Sequence, residues 1–79
     1  MNIRRVRFNR LAVRRLRRQH GLSLEELGAR VGTTKQNLAL IEQGYSEPRA
    51  RTIAKLAMAL EVGPEEFFIE TETAGAAPR

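Results

Sequence analysis

Between Thr34 and Gln43 the sequence reads TKQNLALIEQ, and its polar groups are not scattered. On a helical wheel with Lys35 at zero, Gln36, Ala39, Leu40 and Gln43 fall at about 40–140°, with Lys35 beside them. Thr34, Leu38 and Ile41 fall at about 240–300°, the side a core would take. The outer face therefore presents an ammonium group, two primary amides and a leucine with no core to join. Such groups donate and accept hydrogen bonds, so the chemistry they suit is recognition of another molecule's polar edges. Bond-making chemistry has little material here. His20 has no carboxylate or nucleophile arranged around it, and no phosphate-binding loop is visible. The chain has no cysteine, no aspartate and one histidine, so no enzyme, metal site or cofactor is expected.

That face needs a frame, and the preceding residues supply one. Leu27 and Val31 lie four apart on one face of a helix that runs Leu24–Val31. Ser23 and Glu26 make a capping box, S-x-x-E, at its start, and Leu22 would staple onto Leu27. Gly28 inside this helix costs about 1 kcal/mol against alanine, which implies that a crossing helix needs the space. Gly32 stops the helix in the left-handed conformation, and Thr34 caps the next, Lys35–Gln43, which ends at Gly44. Two short helices joined by a glycine turn form a helix-turn-helix, whose second helix is shaped to enter the DNA major groove.

Around this pair the sequence predicts three more helices. Phe8, Asn9 and Val13 fit a hydrophobic staple around an asparagine cap, which starts helix 1 at Arg10 and runs it to His20, before Gly21. Val13 and Leu16 face the core while Arg14, Arg15 and Arg18 point outward. Arg17 shares the buried side, where a charge needs a partner, and Glu42 is the candidate. Helix 4 spans Ala50–Leu60 with Ile53, Leu56, Ala57 and Leu60 as its stripe. Gly63-Pro64 opens a short helix 5 that Phe67, Phe68 and Ile69 close. Residues 1–9 form a basic arm; Ile3 and Val6 also allow an early helix, with Asn2 as its cap. Residues 10–70 form the domain, and 71–79 read as a disordered tail. The fold class expected is all-α, a compact five-helix bundle.

Charge is distributed unevenly. Residues 1–20 hold eight arginines and no acid, whereas residues 61–79 hold five glutamates against Arg79. A basic end and an acidic end point to a polyanion on one side only. No apolar run approaches the ~20 residues of a membrane span, and no apolar leader is visible. The location expected is cytoplasmic, at the nucleoid.

At this point the chain resembles the lambda-repressor-like family, the Cro/C1-type or XRE-type helix-turn-helix proteins, over about residues 8–68. The run GLSLEELGARVGTTKQNLALIEQG, the downstream P-x4-I-x2-LAMAL and the closing V-x4-FF carry the resemblance. Leu27, Gly28, Val31 and Gly32 match the family's first motif helix and turn, and Leu38 and Ile41 match its recognition helix. The resemblance implies that Thr34, Lys35, Gln36 and Leu40 contact bases. Glutamine suits adenine, lysine suits guanine, and leucine suits a thymine methyl. It implies phosphate contacts from Gln43, the Gly44 amide and the loop to Arg49; the expected set adds Arg14, Arg18, Asn37 and Tyr45. It also implies the Arg17–Glu42 ion pair. Leu24 departs from a common phosphate-gripping glutamine, Arg49 from a serine or threonine cap, and Glu61 from a glycine.

The partner expected is double-stranded DNA, bound by a homodimer that acts as a sequence-specific regulator, a repressor. Phe67, Phe68 and Ile69 cannot all face inward on a helix, so this segment is the expected dimer interface. The alternative is an antitoxin-like module whose main partner is a protein, a toxin or co-regulator, docked on the acidic C-terminal segment or on the Phe67–Ile69 surface.

Overall fold

The local signals translate directly into helices. A computed structural model describes the backbone of residues 3–74 and the side chains of residues 6–70. Four α-helices follow one another: α1 (Arg10–Gln19), α2 (Leu24–Val31), α3 (Lys35–Gln43) and α4 (Ala50–Leu60). The capping box at α2 is complete, with Glu26 N–H donating to Ser23 Oγ at 3.0 Å and Ser23 N–H donating to Glu26 Oε1 at 2.8 Å. Gly32 ends α2 at φ 76°, ψ 33°, and Gly44 ends α3 at φ 89°, the left-handed region that only glycine enters without strain. Each helix contributes its apolar stripe to one core: Val13 and Leu16 from α1, Leu27 from α2, Leu38 and Ile41 from α3, Leu56 and Leu60 from α4.

The space at Gly28 is taken by the turn, not by a crossing helix. A Cβ there would meet the Thr33 carbonyl oxygen at 2.8 Å and the Thr34 carbonyl carbon at 3.3 Å. The missing methyl lets the chain double back within five residues, so that Thr33 N–H donates to the Gly28 carbonyl at 2.9 Å.

The fold departs from the all-α expectation at both ends. The fifth helix is a single 3-10 turn, Pro64–Phe67, and the chain leaves it as a strand, β2 (Phe68–Ala74). Residues Ile3–Phe8 form β1, antiparallel to β2, from Phe8 opposite Phe68 to Ile3 opposite Ala74. The register slips between Arg5 (opposite Glu72) and Val6 (opposite Glu70), leaving Thr71 as the extra residue of a bulge. The helical spacing of Ile3 and Val6 was thus outweighed by the alternation of Val6 and Phe8 with arginines, and by β-branched Ile69, Thr71 and Thr73 opposite. The disordered tail does not begin at residue 71, because the strand continues to Ala74. Residues 75–79, and the Asn2 cap of an early helix, lie outside the described residues.

The ribbon is anchored by aromatic rings. Phe8 stacks on Phe67 at 6.3 Å between centroids and meets Phe68 edge-on at 6.4 Å. Asn9 occupies the cap position of α1, but its side chain makes no cap bond. Its backbone N–H donates instead to the Phe67 carbonyl at 2.7 Å. The entry angle of α1 is therefore set by Phe67, from the far end of the chain, through Phe8 and Asn9.

Candidate nucleic-acid interface

The recognition surface is built from the ends of α3 inward. At its start Thr34 accepts from Asn37 N–H at 3.0 Å, and Thr33 Oγ1 accepts from Asn37 Nδ2 at 2.8 Å. The Asn37 amide group, expected at a phosphate, is thus half-buried and tied into the turn. Thr34 is exposed, not on the buried side, because a cap residue leaves the helical path before the wheel applies. Between the ends, Leu38 and Ile41 are sealed in the core, which fixes the rotation of the helix. Lys35, Gln36, Leu40 and Gln43 face solvent, with Leu40 45% exposed. Tyr45, 80% exposed, continues the surface past Gly44, and Arg49 is exposed at the start of α4.

Behind α3 lies a charge cluster. Glu42 is the buried charged side chain among the described residues, 2% exposed. Arg17 donates from Nε to Glu42 Oε2 at 2.8 Å and from Nη2 to Oε1 at 3.2 Å, and its Nη1 reaches the Leu22 carbonyl at 2.8 Å. The bond to Glu42 raises the pKa of Arg17 further above its ordinary value. Arg14 does not simply point outward: its Nε donates to Glu42 Oε1 at 3.1 Å. Helical spacing alone puts Arg14 on the solvent side, because it carries no signal of a neighbouring acid. Arg10 completes the group through the backbone, with Nη1 at 2.7 Å from the Glu42 carbonyl.

Arg18 is exposed and lines a groove on α1 with Leu11, Arg14, Arg15 and Gln19. Phe67 is fully buried and cannot form a dimer interface. It ends the 3-10 turn and faces inward, whereas Phe68 and Ile69 belong to β2 and stay 41% and 45% exposed. Glu25 is not among the expected contact residues. It shares a depression between α2 and the start of α3 with Thr34, Lys35 and Gln36. Nothing in the sequence of α2 marks it, since the meeting of the two helices appears in neither helix alone.

A family model described as helix-turn-helix matches residues 13–67. The chain belongs to that family, the helix-turn-helix proteins of the Cro/C1 (XRE) type. This helix-turn-helix protein is 41% identical over 58 residues to y4dJ of Sinorhizobium fredii, named as an uncharacterized HTH-type transcriptional regulator; the match covers 73% of this chain and 75% of the relative. Its fold matches the restriction-modification controller protein C.AhdI of Aeromonas hydrophila at a TM-score of 0.69 and 33% identity, over 72% of this chain and 86% of the other. It also matches the biofilm regulator SinR in complex with DNA at a TM-score of 0.67 and 26% identity, over 71% of this chain and 90% of the other. SinR matches with the same score in its complex with the SinI protein, where 55% of that chain is covered. Among the described residues no helix is long and apolar enough to cross a membrane.

Proposed function

We propose that this helix-turn-helix protein represses transcription by binding a pseudo-palindromic operator as a homodimer. The observation that carries the reading is the solvent face of α3, where Lys35, Gln36, Leu40 and Gln43 stand exposed on a helix capped at both ends. Such a face suits the major groove: Gln36 can pair with adenine, Lys35 with guanine O6 and N7, and Leu40 with a thymine methyl. Thr34 and Glu25 border the same surface. Glu25 favours base donors and disfavours phosphate, so it sharpens the register of docking. Gln43, Tyr45, Arg49 and Arg18 supply backbone contacts, Gly44 lets a phosphate approach closely while its N–H stays on the Ile41 carbonyl, and Asn37 and Arg14 contribute only with the donors their internal bonds leave over. SinR, similar in fold, is known in complex with DNA, which supports the reading. Two copies would meet through the ribbon at Phe68 and Ile69 and address half-sites about 34–36 Å apart.

Selection from random duplexes at near-physiological salt tests this. A two-fold pseudo-palindrome should emerge, and Gln36→Ala should relax one position in each half-site, by about 1–3 kcal/mol of discrimination. Binding without any enriched sequence would refute it. The exposed Phe68 and Ile69 favour a second reading, a protein partner docked on the ribbon, in an antitoxin-like role. SinR in complex with SinI supplies a parallel. A stoichiometric partner lost on Ile69→Lys would support that reading.

A further inference from the structure

The last turn of α3 lacks a feature that helix ends commonly have. Its final carbonyls have no partner within the helix, and the turn Leu40–Gln43 contains no lysine, arginine or histidine to satisfy them or to oppose the negative end of the helix dipole. Two of those carbonyls are taken by the glycine turn: Gly44 N–H donates to Ile41 at 3.2 Å and Tyr45 N–H to Leu40 at 2.9 Å. The Glu42 carbonyl is taken by Arg10, a residue 32 positions earlier, at 2.7 Å. The Arg10 side chain also lies against Gly44, where a Cβ would stand 3.0 Å from Nε and 3.1 Å from Cδ.

We propose that Arg10 is a positioning residue of the recognition helix, serving as its C-terminal cap from α1. It supplies the cation that the last turn lacks, donates to the Glu42 carbonyl and packs over Gly44, and so fixes the angle at which Gln43, Gly44 and Tyr45 meet a DNA backbone. Arg17 and Arg14 bind the Glu42 carboxylate and hold the body of α3; Arg10 binds the backbone and holds its end. Arg10 is also the first residue of α1, directly after Asn9, whose N–H is fixed to Phe67. The end of the recognition helix is thereby tied to the base of the ribbon through two adjacent residues. This inference rests on α3 being the DNA-reading element, but its first test needs no DNA.

That test is amide hydrogen exchange on the free protein. In Arg10→Met, exchange at the Gly44 and Tyr45 amides should rise about tenfold while the amides of α4 keep their protection, and Arg10→Lys, which retains one cationic donor, should recover most of it. Arg15→Met, on the exposed side of the same helix, should change neither. Unchanged exchange at Gly44 and Tyr45 in Arg10→Met overturns the proposal, as does an equal effect from Arg15→Met. Should Arg10→Met lose protection throughout the domain, Arg10→Lys decides: faster exchange confined to Gly44 and Tyr45 supports the role, and a uniform rise overturns it. On a selected duplex, Arg10→Met should weaken binding about tenfold with the salt dependence unchanged. A salt slope lowered by about one would instead mean that Arg10 grips a phosphate directly, and would overturn the positioning role. If no duplex is selected, the proposed function fails while the exchange result still decides the role of Arg10.

Discussion

Replacing Arg17 by methionine should remove a large part of the domain's stability. The Arg17 side chain is 12% exposed and that of Glu42 2%, so the pair is shielded on both sides. Arg17 makes two of the three hydrogen bonds that reach the Glu42 carboxylate, and Arg14 makes the third. Removing Arg17 leaves the buried Glu42 carboxylate with the half-exposed Arg14 as its remaining counter-ion and Oε2 without its donor, at a cost of up to about 3–5 kcal/mol. A chain of this length is stable by about 4–12 kcal/mol in total. A loss of 3 kcal/mol corresponds to about 12–24 °C in Tm for a domain of this size. Arg14→Ala removes one bond from a side chain that is 37% exposed, and should cost about 1 kcal/mol. Urea melts followed by circular dichroism would give both values. In the double variant Arg17→Met with Glu42→Leu the loss should be smaller than the sum of the single losses, because the stranded charge is gone. A cost below about 1 kcal/mol for Arg17→Met, or an Arg14 effect as large as the Arg17 effect, would refute this reasoning.

Other outcomes follow from backbone geometry and from titration. Gly28→Ala should destabilise by about 1–2 kcal/mol in urea melts, because the clash with the Thr33 carbonyl outweighs the roughly 1 kcal/mol gained in helix propensity. Glu61 holds φ 61°, ψ 43° at the end of α4, so Glu61→Gly should raise stability by up to about 1 kcal/mol by releasing left-handed strain. Hydrogen bonds from Ser23 hold the Glu26 carboxyl below its ordinary pKa. Its folded-state value therefore lies below the unfolded one. Its contribution is present above about pH 4.3 and disappears as pH falls through the folded value. The stability difference between the parent chain and Glu26→Gln should shrink on acidification, and a difference that grew would count against the capping box.

The two motif helices were legible because each local signal agreed with its neighbours. Ser23, Gly32, Thr34 and Gly44 mark four boundaries, and all four caps are found where their residue types place them. The Arg17–Glu42 pair was legible because a charge on an apolar stripe demands a partner. What escaped was set by distant contacts. Phe8 reads equally well as a staple for Val13, and nothing near it announces Phe67 as its partner. Phe67, Phe68 and Ile69 were read on one helix, whereas a strand start separates the buried ring from the two exposed side chains. The sequence offers Arg10 only as charge and Arg14 only as a phosphate contact, since their bonds to Glu42 span 32 and 28 positions.

The ribbon also has a consequence for the order in which the chain assembles. Its strand partners lie 60 to 71 positions apart, whereas α2 and α3 are joined by a three-residue turn. Closing a loop of that length is entropically costly until something else has brought its ends together, and here that something is Phe67 seated in the helical core. The helices must therefore collapse first, and the ribbon zips afterwards from Phe8 and Phe68 outward toward Ile3 and Ala74. Reversed, the same sequence makes the outer end of the ribbon the first part to open, as a local event that leaves the helical frame standing. The molecule thus has a clasp that closes last and opens first, and a reader that stands without it, with Phe8, Asn9 and Arg10 as the joint between them.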